Sequence, residues 1–238
     1  MTAPLVFLPG WCLGRGPLNA AIDALQGTIF DLPGYGDAPL ITDFDAAVAA
    51  IAGRLQPGTT LAGWSLGAQL ALAIAARAPE KIGKLLLVAG TASFVQRDGW
   101  PHAMARETLE AFAEGLRTEP AKTIRAFVNL NALGGPQARD RMRELAALLV
   151  ERGAPSAESL AAGLALLHDA DLRDEVATID RPAAVIHGAR DALAPAGAGR
   201  WLAGALPFAR FVEIPDGAHL PFVSHTEAVA RALEALHG

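Results

Sequence analysis

The stretch "LAGWSLGAQLALAIAA", residues 61–76, places one serine between two glycines, after a short apolar run and before a longer one. Its segment "GWSLG" matches G-x-S-x-G, a pattern in which the serine occupies a sharp turn from a strand into a helix. The flanking residues fit this context, because "TTLAG" predicts a strand and "LGAQLALAIAARAP" predicts a helix. The glycines make room for a strained turn that pushes the hydroxyl of Ser65 outward. The sequence therefore predicts a nucleophilic serine, although a chance match stays open in a chain with 24 glycines.

Six short runs rich in Val, Leu, Ile and Phe recur along the chain: "PLVFLPG", "TIFDLPG", "TTLAGW", "KLLLVAG", "AAVIHG" and "ARFVEIP". Most of them are followed by a helical pattern, and this alternation predicts an α/β fold with a mainly parallel sheet and helices on both faces. The expected helices lie near residues 17–25, 43–55, 66–78, 171–177, 196–204 and 222–237.

Residues 94–170 interrupt this alternation, because they contain several amphipathic helical patterns and no convincing strand. We interpret them as an all-helical cap, or lid, inserted into a core that comprises residues 1–93 and 171–238. Such a cap would cover the carboxyl edge of the sheet, where folds of this class bind their ligands.

The acid that would assist Ser65 is expected just after a late strand, since the order in this architecture is serine, acid, histidine. Asp191 in "AAVIHGARDALAP" has that position. Three other aspartates precede the same strand and would lie at the wrong edge of the sheet: Asp171, Asp174 and Asp180. The position of Asp191 therefore predicts that it is the acid.

The base is expected in the loop after the last strand, where "FVEIPDGAHLPF" offers His219. We predict that His219 takes the proton of Ser65 while Asp191 fixes its tautomer. Asp216 stays open as an alternative acid, although a turn residue after proline more often shapes the loop. The remaining histidines are interpreted mostly as surface or packing residues: His102, His168, His187, His225 and His237.

Two backbone amides are candidates for stabilising a negatively charged oxygen. The amide of Leu66 lies at the predicted helix N-terminus, and the amide of Trp11 lies in the loop after the first strand, "LPGWCLGRGP". The indoles of Trp11 and Trp64 are expected to line the pocket, with ordinary core packing as the alternative.

The composition bounds the class of protein. A chain of 238 residues suits one large α/β domain, and although 52% of it is hydrophobic, no apolar stretch is long enough to cross a bilayer. The N-terminus does not resemble a secretory signal, so we expect a cytoplasmic protein, and a monomer. The net charge of −5 argues against general nucleic-acid binding.

No cofactor or metal is implied by the sequence. Cys12 is the only cysteine, so no internal disulfide is possible, and no Cys/His cluster has metal-ligand spacing. The segments "GYGDAP" and "GRGPLN" begin as G-x-G but lack the third glycine of a dinucleotide site.

Several stretches together resemble the α/β-hydrolase superfamily over essentially the whole chain: "PGW", "DLPGYG", "GWSLG", "RDGWP", "DLR" and "AHLPFVSH". Within that superfamily they are similar to the biotin-pathway esterases that demethylate pimeloyl-acyl-carrier-protein methyl ester. The resemblance implies a serine esterase with Ser65, Asp191 and His219 as its triad and Trp11 and Leu66 at the oxyanion. It also implies substrate contacts from Trp11, Leu66, His219 and the segment "FVNLN", which comprises Phe127, Val128, Asn129, Leu130 and Asn131.

The chain departs from the pattern of that family at three places. Pro9 replaces a histidine in the oxyanion loop, Ala68 replaces a second glycine after "SLG", and the leading hairpin of the superfamily is not expected. The first departure puts the hydrogen bonding of the loop in doubt and leaves the Trp11 amide available.

An acidic carrier protein would need a basic surface, and residues 122–143 contain five basic residues against one acid, Asp140. Arg139 and Arg143 share a helical face, and so nearly do Lys122 and Arg125. The family resemblance favours these four residues as a docking surface, whereas a solvated helix face is the ordinary alternative.

Three other functions stay open at the level of sequence. They are a generalist short-chain carboxylesterase with the same triad, another capped hydrolase or lyase acting on carbon–carbon bonds, and a ligand-binding member of the fold without catalysis. The intact set of serine, acid and histidine counts against the last.

Overall fold

The computed structural model describes residues 3–19, 26–152 and 155–237. Within these residues, six strands form one parallel sheet in the order β2-β1-β3-β4-β5-β6. Their bounds are β1 Leu5–Leu8, β2 Thr28–Ile29, β3 Thr59–Trp64, β4 Ile82–Val88, β5 Ala183–Gly188 and β6 Ala209–Ile214. The six predicted strands and their parallel arrangement are confirmed.

Nine α-helices occur in the described residues, and the first two and last three belong to the alternation with the strands. They are α1 Phe44–Ala52, α2 Leu66–Arg77, α3 Arg106–Thr118, α4 Pro120–Ala132, α5 Ala138–Arg152, α6 Ala157–Asp169, α7 Ala196–Ala205, α8 Pro221–Ser224 and α9 Thr226–His237. None of these helices combines the length and apolarity needed to cross a bilayer.

The predicted helix at residues 171–177 is wrong, because only a short 3₁₀ helix, Val176–Thr178, forms there. The backbone amide of Leu172 donates to Ala92 O instead, and Asp171 pairs with Ser93, so the segment runs beside the chain that leaves β4. The final helix is divided into α8 and α9 at His225. At the first predicted helix, Gly16–Leu18 is a 3₁₀ turn, and residues 20–25 lie outside the described residues.

The sheet buries apolar residues on both faces, as the alternating directions of strand side chains require. In β4, Leu85 and Leu87 join a core cluster that includes α1, α2 and α7, whereas Leu86 and Val88 join a second cluster with α9. The sheet is therefore covered by helices on both sides, and its carboxyl edge is left for the loops that carry polar residues.

Helices α3 to α6 lie between β4 and β5 in the chain and contact loops at that carboxyl edge. The indole of Trp11, which follows β1, donates to Leu160 O of α6 at 2.9 Å. The amide of His219, which follows β6, donates to Asn131 O of α4 at 3.2 Å. Helices α4 and α6 thus contact the loops that follow β6 and β1.

Ala68 stands where the family usually has a glycine, and Gly90 provides the space for its methyl group. Gly90 follows β4, and a Cβ built on it would lie 2.7 Å from the Cβ of Ala68. The methyl group of Ala68 therefore occupies space that a larger residue at position 90 would need.

We expect Gly90→Ala to lower the free energy of unfolding by about 1–3 kcal/mol, because overpacking forces neighbouring atoms apart. Adding Ala68→Gly should recover most of that loss, since it removes the opposing methyl group. Urea unfolding of both single variants and the double variant measures the coupling. Purely additive losses would contradict the contact.

Candidate active site

Ser65 links β3 to α2 with backbone angles of φ 55° and ψ −116°, a conformation that side-chain-bearing residues rarely adopt. Two glycines permit the close packing around it. A Cβ on Gly63 would collide with the carbonyl of Gly67, and a Cβ on Gly67 would collide with the carbonyl of Leu8 at the end of β1. The G-x-S-x-G segment therefore forms the strained turn that its sequence predicts.

Asp191 and His219 meet although 28 residues separate them, because each follows the carboxyl end of a neighbouring strand. His219 Nδ1 lies 2.7 Å from Asp191 Oδ2, and the two side chains are 1% and 0% exposed. Since the partner is a carboxylate, Nδ1 carries the hydrogen and a neutral ring leaves Nε2 free to accept a proton. Nε2 is buried and has no hydrogen-bond partner in residues 3–19, 26–152 and 155–237.

The loop around Asp191 holds its carboxylate in the ionised form. Oδ1 accepts hydrogen bonds from the amides of Leu193 and Ala194, both at 2.9 Å. Burial acts to raise the pKa of Asp191, but the charges and contacts of His219 and His187 outweigh it and hold that pKa below its ordinary value. The pair can therefore stabilise a positive charge on His219.

Trp64 connects His219 to the serine turn. Its indole Nε1 donates to His219 O at 2.9 Å, and the two rings lie 5.8 Å apart between centroids. Because Trp64 directly precedes Ser65, this hydrogen bond fixes the histidine loop beside the serine. Such an arrangement of hydroxyl, imidazole and carboxylate can carry out nucleophilic attack with general-base assistance.

Asp216, the alternative acid, contacts His225 Nε2 at 3.1 Å rather than the predicted base. His168 contacts Asp169 Oδ1 at 2.8 Å and Arg106 at 2.9 Å, and His102 packs on the ring of Trp100. The side chain of His237 lies outside the described residues.

Of all the histidines left without a predicted role, His187 has the most unexpected surroundings. It is completely buried at the end of β5, and its Nε2 lies 3.4 Å from Asp191 Oδ2 and 2.8 Å from Ala194 O. The sequence does not predict this contact, because a histidine in a buried strand gives the same pattern as a packing residue. The four-residue spacing in "HGARD" was the only signal of it.

The two predicted oxyanion amides belong to the segments that meet where Gly67 of α2 packs against the carbonyl of Leu8 at the end of β1. Leu66 is the first residue of α2, and Trp11 lies in the turn after β1. For neither amide is an acceptor found within the described part of the chain. The turn is held by Tyr35, whose hydroxyl accepts from the amide of Cys12 at 2.9 Å. Both amides are therefore available to donate, with Pro9 in the place of the family's histidine.

The predicted acyl-contacting segment lies in α4, and only part of it faces the site. The ring of Phe127 packs edge-on against Trp11 with centroids 4.5 Å apart, and the buried Asn131 accepts from the His219 amide. Val128 is buried and Leu130 is half-buried, whereas Asn129 is exposed. Phe127 therefore contacts the loop after β1 and Asn131, one helical turn further on, contacts the loop after β6.

A cavity of about 340 Å³ lies between the α4–α5 pair and the histidine loop. Its wall includes Asn131, Leu145, Leu148, Ala218 and Leu220. Ala218 and Leu220 flank His219 in the chain, so the cavity lies next to the histidine loop, but none of Ser65, His219 and Trp11 lines it. Its size and mostly apolar wall suit a small-molecule ligand.

The predicted basic patch is exposed, and its charge is partly compensated. Lys122 pairs with Glu119, and Arg143 pairs with Asp140. Arg125 and Arg139 are also exposed. Glu119 and Glu144 lie just outside residues 122–143, and Glu144 pairs with Arg141. The surface is therefore less positive than the residue count over that window predicts.

Comparison with known proteins agrees with this geometry. Residues 5–232 match the model of the alpha/beta hydrolase family. A pimeloyl-[acyl-carrier protein] methyl ester esterase from Chromobacterium violaceum is 40% identical over 235 residues, covering 96% of this chain and 92% of its own. One of the same name from Nitrosomonas europaea is 36% identical over 241 residues, covering 98% and 94%. A solved esterase structure from Exiguobacterium antarcticum has a TM-score of 0.88 at 21% identity, covering 100% of this chain and 92% of that one.

The chain belongs to the alpha/beta hydrolase family. The predicted fold class and the family resemblance are thereby confirmed. Both named relatives are carrier-protein methyl ester esterases, the group within the family that the sequence motifs resemble.

The depressed pKa of Asp191 has a testable effect on stability. Because the folded-state pKa lies below the unfolded value of about 3.9, ionised Asp191 favours folding above that pH, and the advantage is lost as pH falls through it towards the folded-state pKa. We expect Asp191→Asn to cost about 1–3 kcal/mol at pH 6 to 7 and progressively less below about pH 4. Urea unfolding across pH measures this, with the exposed Asp174→Asn as the control. A pH-independent cost would contradict it.

Proposed function

We propose that this protein is a serine carboxylesterase that hydrolyses the methyl ester of pimeloyl-acyl-carrier protein in biotin biosynthesis. The observation that carries the proposal is the similarity, over nearly the full length, to relatives that bear this enzyme's name. The buried Asp191–His219 pair beside the strained Ser65 supports ester hydrolysis independently.

In the proposed reaction, His219 Nε2 accepts the proton of Ser65 as its oxygen attacks the ester carbonyl. Asp191 holds the imidazole by Nδ1 and stabilises the imidazolium that forms. The amides of Trp11 and Leu66 donate to the oxyanion. The C–O bond to the methoxy group breaks, and methanol leaves with the proton from His219. Water activated by the same base then hydrolyses the acyl-enzyme and leaves a free carboxylate.

The helical segment α3 to α6, within residues 94–170, acts in this proposal as a cap over the core formed by residues 1–93 and 171–238. The cavity next to the histidine loop would receive the acyl chain. Phe127 packs on Trp11 and Asn131 accepts from the His219 amide, so these two residues contact the loops proposed to carry the oxyanion donor and the base. Asn129 contributes least to this contact, because it faces solvent.

The carrier protein would dock on the outer side of the cap. Lys122 and Arg125 of α4 and Arg139 and Arg143 of α5 are exposed on helices that contact each other. The chain as a whole carries a net charge of −5, so a local basic surface would orient an acidic partner. We further propose that the enzyme acts in the cytoplasm as a monomer.

Replacement of the nucleophile tests the reaction. We expect Ser65→Ala to reduce kcat for the pimeloyl-carrier methyl ester roughly 10³-fold or more, because the attacking oxygen is lost. Growth of a biotin-requiring strain without biotin, with the wild-type or the Ser65→Ala gene supplied, gives the corresponding test in cells. Rescue by the alanine variant would contradict the mechanism.

The same assays separate the alternative functions. A strong preference of the wild type for the carrier-bound ester over p-nitrophenyl acetate supports the proposal. Equal use of both esters, with no rescue of the biotin-requiring strain, would indicate a generalist esterase. Tight ligand binding without any turnover would indicate a non-catalytic member of the fold.

Charge reversal tests the docking surface. We expect Arg139→Glu with Arg143→Glu to raise KM for the carrier-bound ester and to leave p-nitrophenyl acetate hydrolysis unchanged, because only the carrier contacts the outer surface. Raising salt from about 0.05 to about 0.5 M should weaken the carrier-bound reaction selectively, since it screens the same charges.

A matched control is Arg210→Glu with Arg231→Glu, which changes the net charge equally at two exposed residues outside the cap. This control should behave like the wild type. Equal losses on both substrates, or equal losses for the two double variants, would contradict docking at this surface.

A further inference from the structure

His187 occupies a place that ordinary core packing does not explain. It is the penultimate residue of β5 and has no exposure, yet its imidazole faces the polar loop that carries Asp191. Its Nε2 lies 2.8 Å from Ala194 O and 3.4 Å from Asp191 Oδ2. Both neighbours are hydrogen-bond acceptors, so Nε2 carries the hydrogen.

Ala194 links His187 to Asp191 through its two backbone groups. The amide of Ala194 donates to Asp191 Oδ1, and the carbonyl of the same residue accepts from His187. One histidine thus contacts the carboxylate directly and also holds the residue that donates to its other oxygen. Asp191 Oδ2 is shared between His187 and His219.

The helix beside β5 leaves room for this ring. Gly199 lies in α7, and a Cβ built there would lie 2.6 Å from His187 Nδ1. Glycine is an unfavourable residue inside a helix, because it loses more conformational freedom on folding than any other residue. The chain therefore accepts a locally weaker helix at the position where the imidazole is seated.

We propose that His187 is a positioning residue that acts through Asp191. Its Nε2–H fixes the loop of residues 191–194 and withdraws part of the charge on Asp191 Oδ2 from His219. This inference rests on the proposed catalytic roles of Ser65, Asp191 and His219.

Two carboxylates act on His187. Asp191 faces it from the loop, and Glu213 acts from β6, where it is held by Arg200 of α7. Burial acts to lower the pKa of His187, but Asp191 and, more weakly, Glu213 offset this and raise it. These charges favour a hydrogen on His187 Nε2, which agrees with the two acceptors, Ala194 O and Asp191 Oδ2, that lie beside this atom.

Two variants test whether the N–H group must lie at the position of His187 Nε2 or whether any polar side chain suffices. His187→Gln can place an amide N–H near the position of Nε2, whereas the shorter His187→Asn cannot reach it. We expect His187→Asn to lower kcat for p-nitrophenyl acetate roughly tenfold or more with little change in KM. His187→Gln should recover most of the rate.

The pH profile gives a readout that loss of packing would not move. In His187→Asn, the charge of Asp191 is less shared, so it favours the protonated form of His219 more strongly. The acid limb of kcat/KM should therefore move to higher pH, and His187→Gln should keep the wild-type limb. Equal kcat values for the two variants, or an unmoved limb in His187→Asn, would overturn the proposal.

The background of Asp191→Asn distinguishes this inference from the proposed function. If His187 acts through Asp191, His187→Asn should add little further loss of kcat to Asp191→Asn. A full additional loss would overturn the positioning role alone. If Asp191→Asn itself leaves turnover unchanged, the assignment of the triad fails, and the role of His187 in it fails with it.

Discussion

The strained backbone of Ser65 is the constraint on which the rest of the site depends. A residue with a side chain at φ 55° and ψ −116° is unfavourable by about 1–3 kcal/mol, so the surrounding structure must hold it there. β3 and α2 supply that support, because both are almost completely buried. The same close packing brings the carbonyl of Leu8 against Gly67, which places the turn after β1 next to the start of α2. Both proposed oxyanion amides are thereby positioned by one packing contact.

Much of this arrangement could be predicted from the sequence, because in a parallel sheet the order of the strands determines which loops lie side by side. All strand ends carry their loops to one edge, so Asp191 after β5 and His219 after β6 are neighbours despite their separation in sequence. The buried strands are also easy to recognise, since their two faces both contact apolar helices and they read as continuous apolar runs.

The features that could not be predicted depend on the paths that the folded backbone takes and on where it directs individual side chains. Residues 171–177 have a helical pattern, but Leu172 bonds to Ala92 and the helix does not form. His187 gives the pattern of a packing residue, and only the folded loop shows that it reaches Asp191. The charge of the basic patch was overestimated because the window 122–143 leaves out Glu119 and Glu144, which pair with Lys122 and Arg141 at a spacing of three residues.

Trp11 connects the turn after β1 to helices α4 and α6. Its amide belongs to the turn after β1, while its indole donates to Leu160 O and packs on Phe127. Helix α6 therefore cannot withdraw from the core without breaking a hydrogen bond to the very residue that is proposed to hold the oxyanion. Movement of α6 away from the core would thus release the side chain of the same residue whose backbone amide is the proposed oxyanion donor.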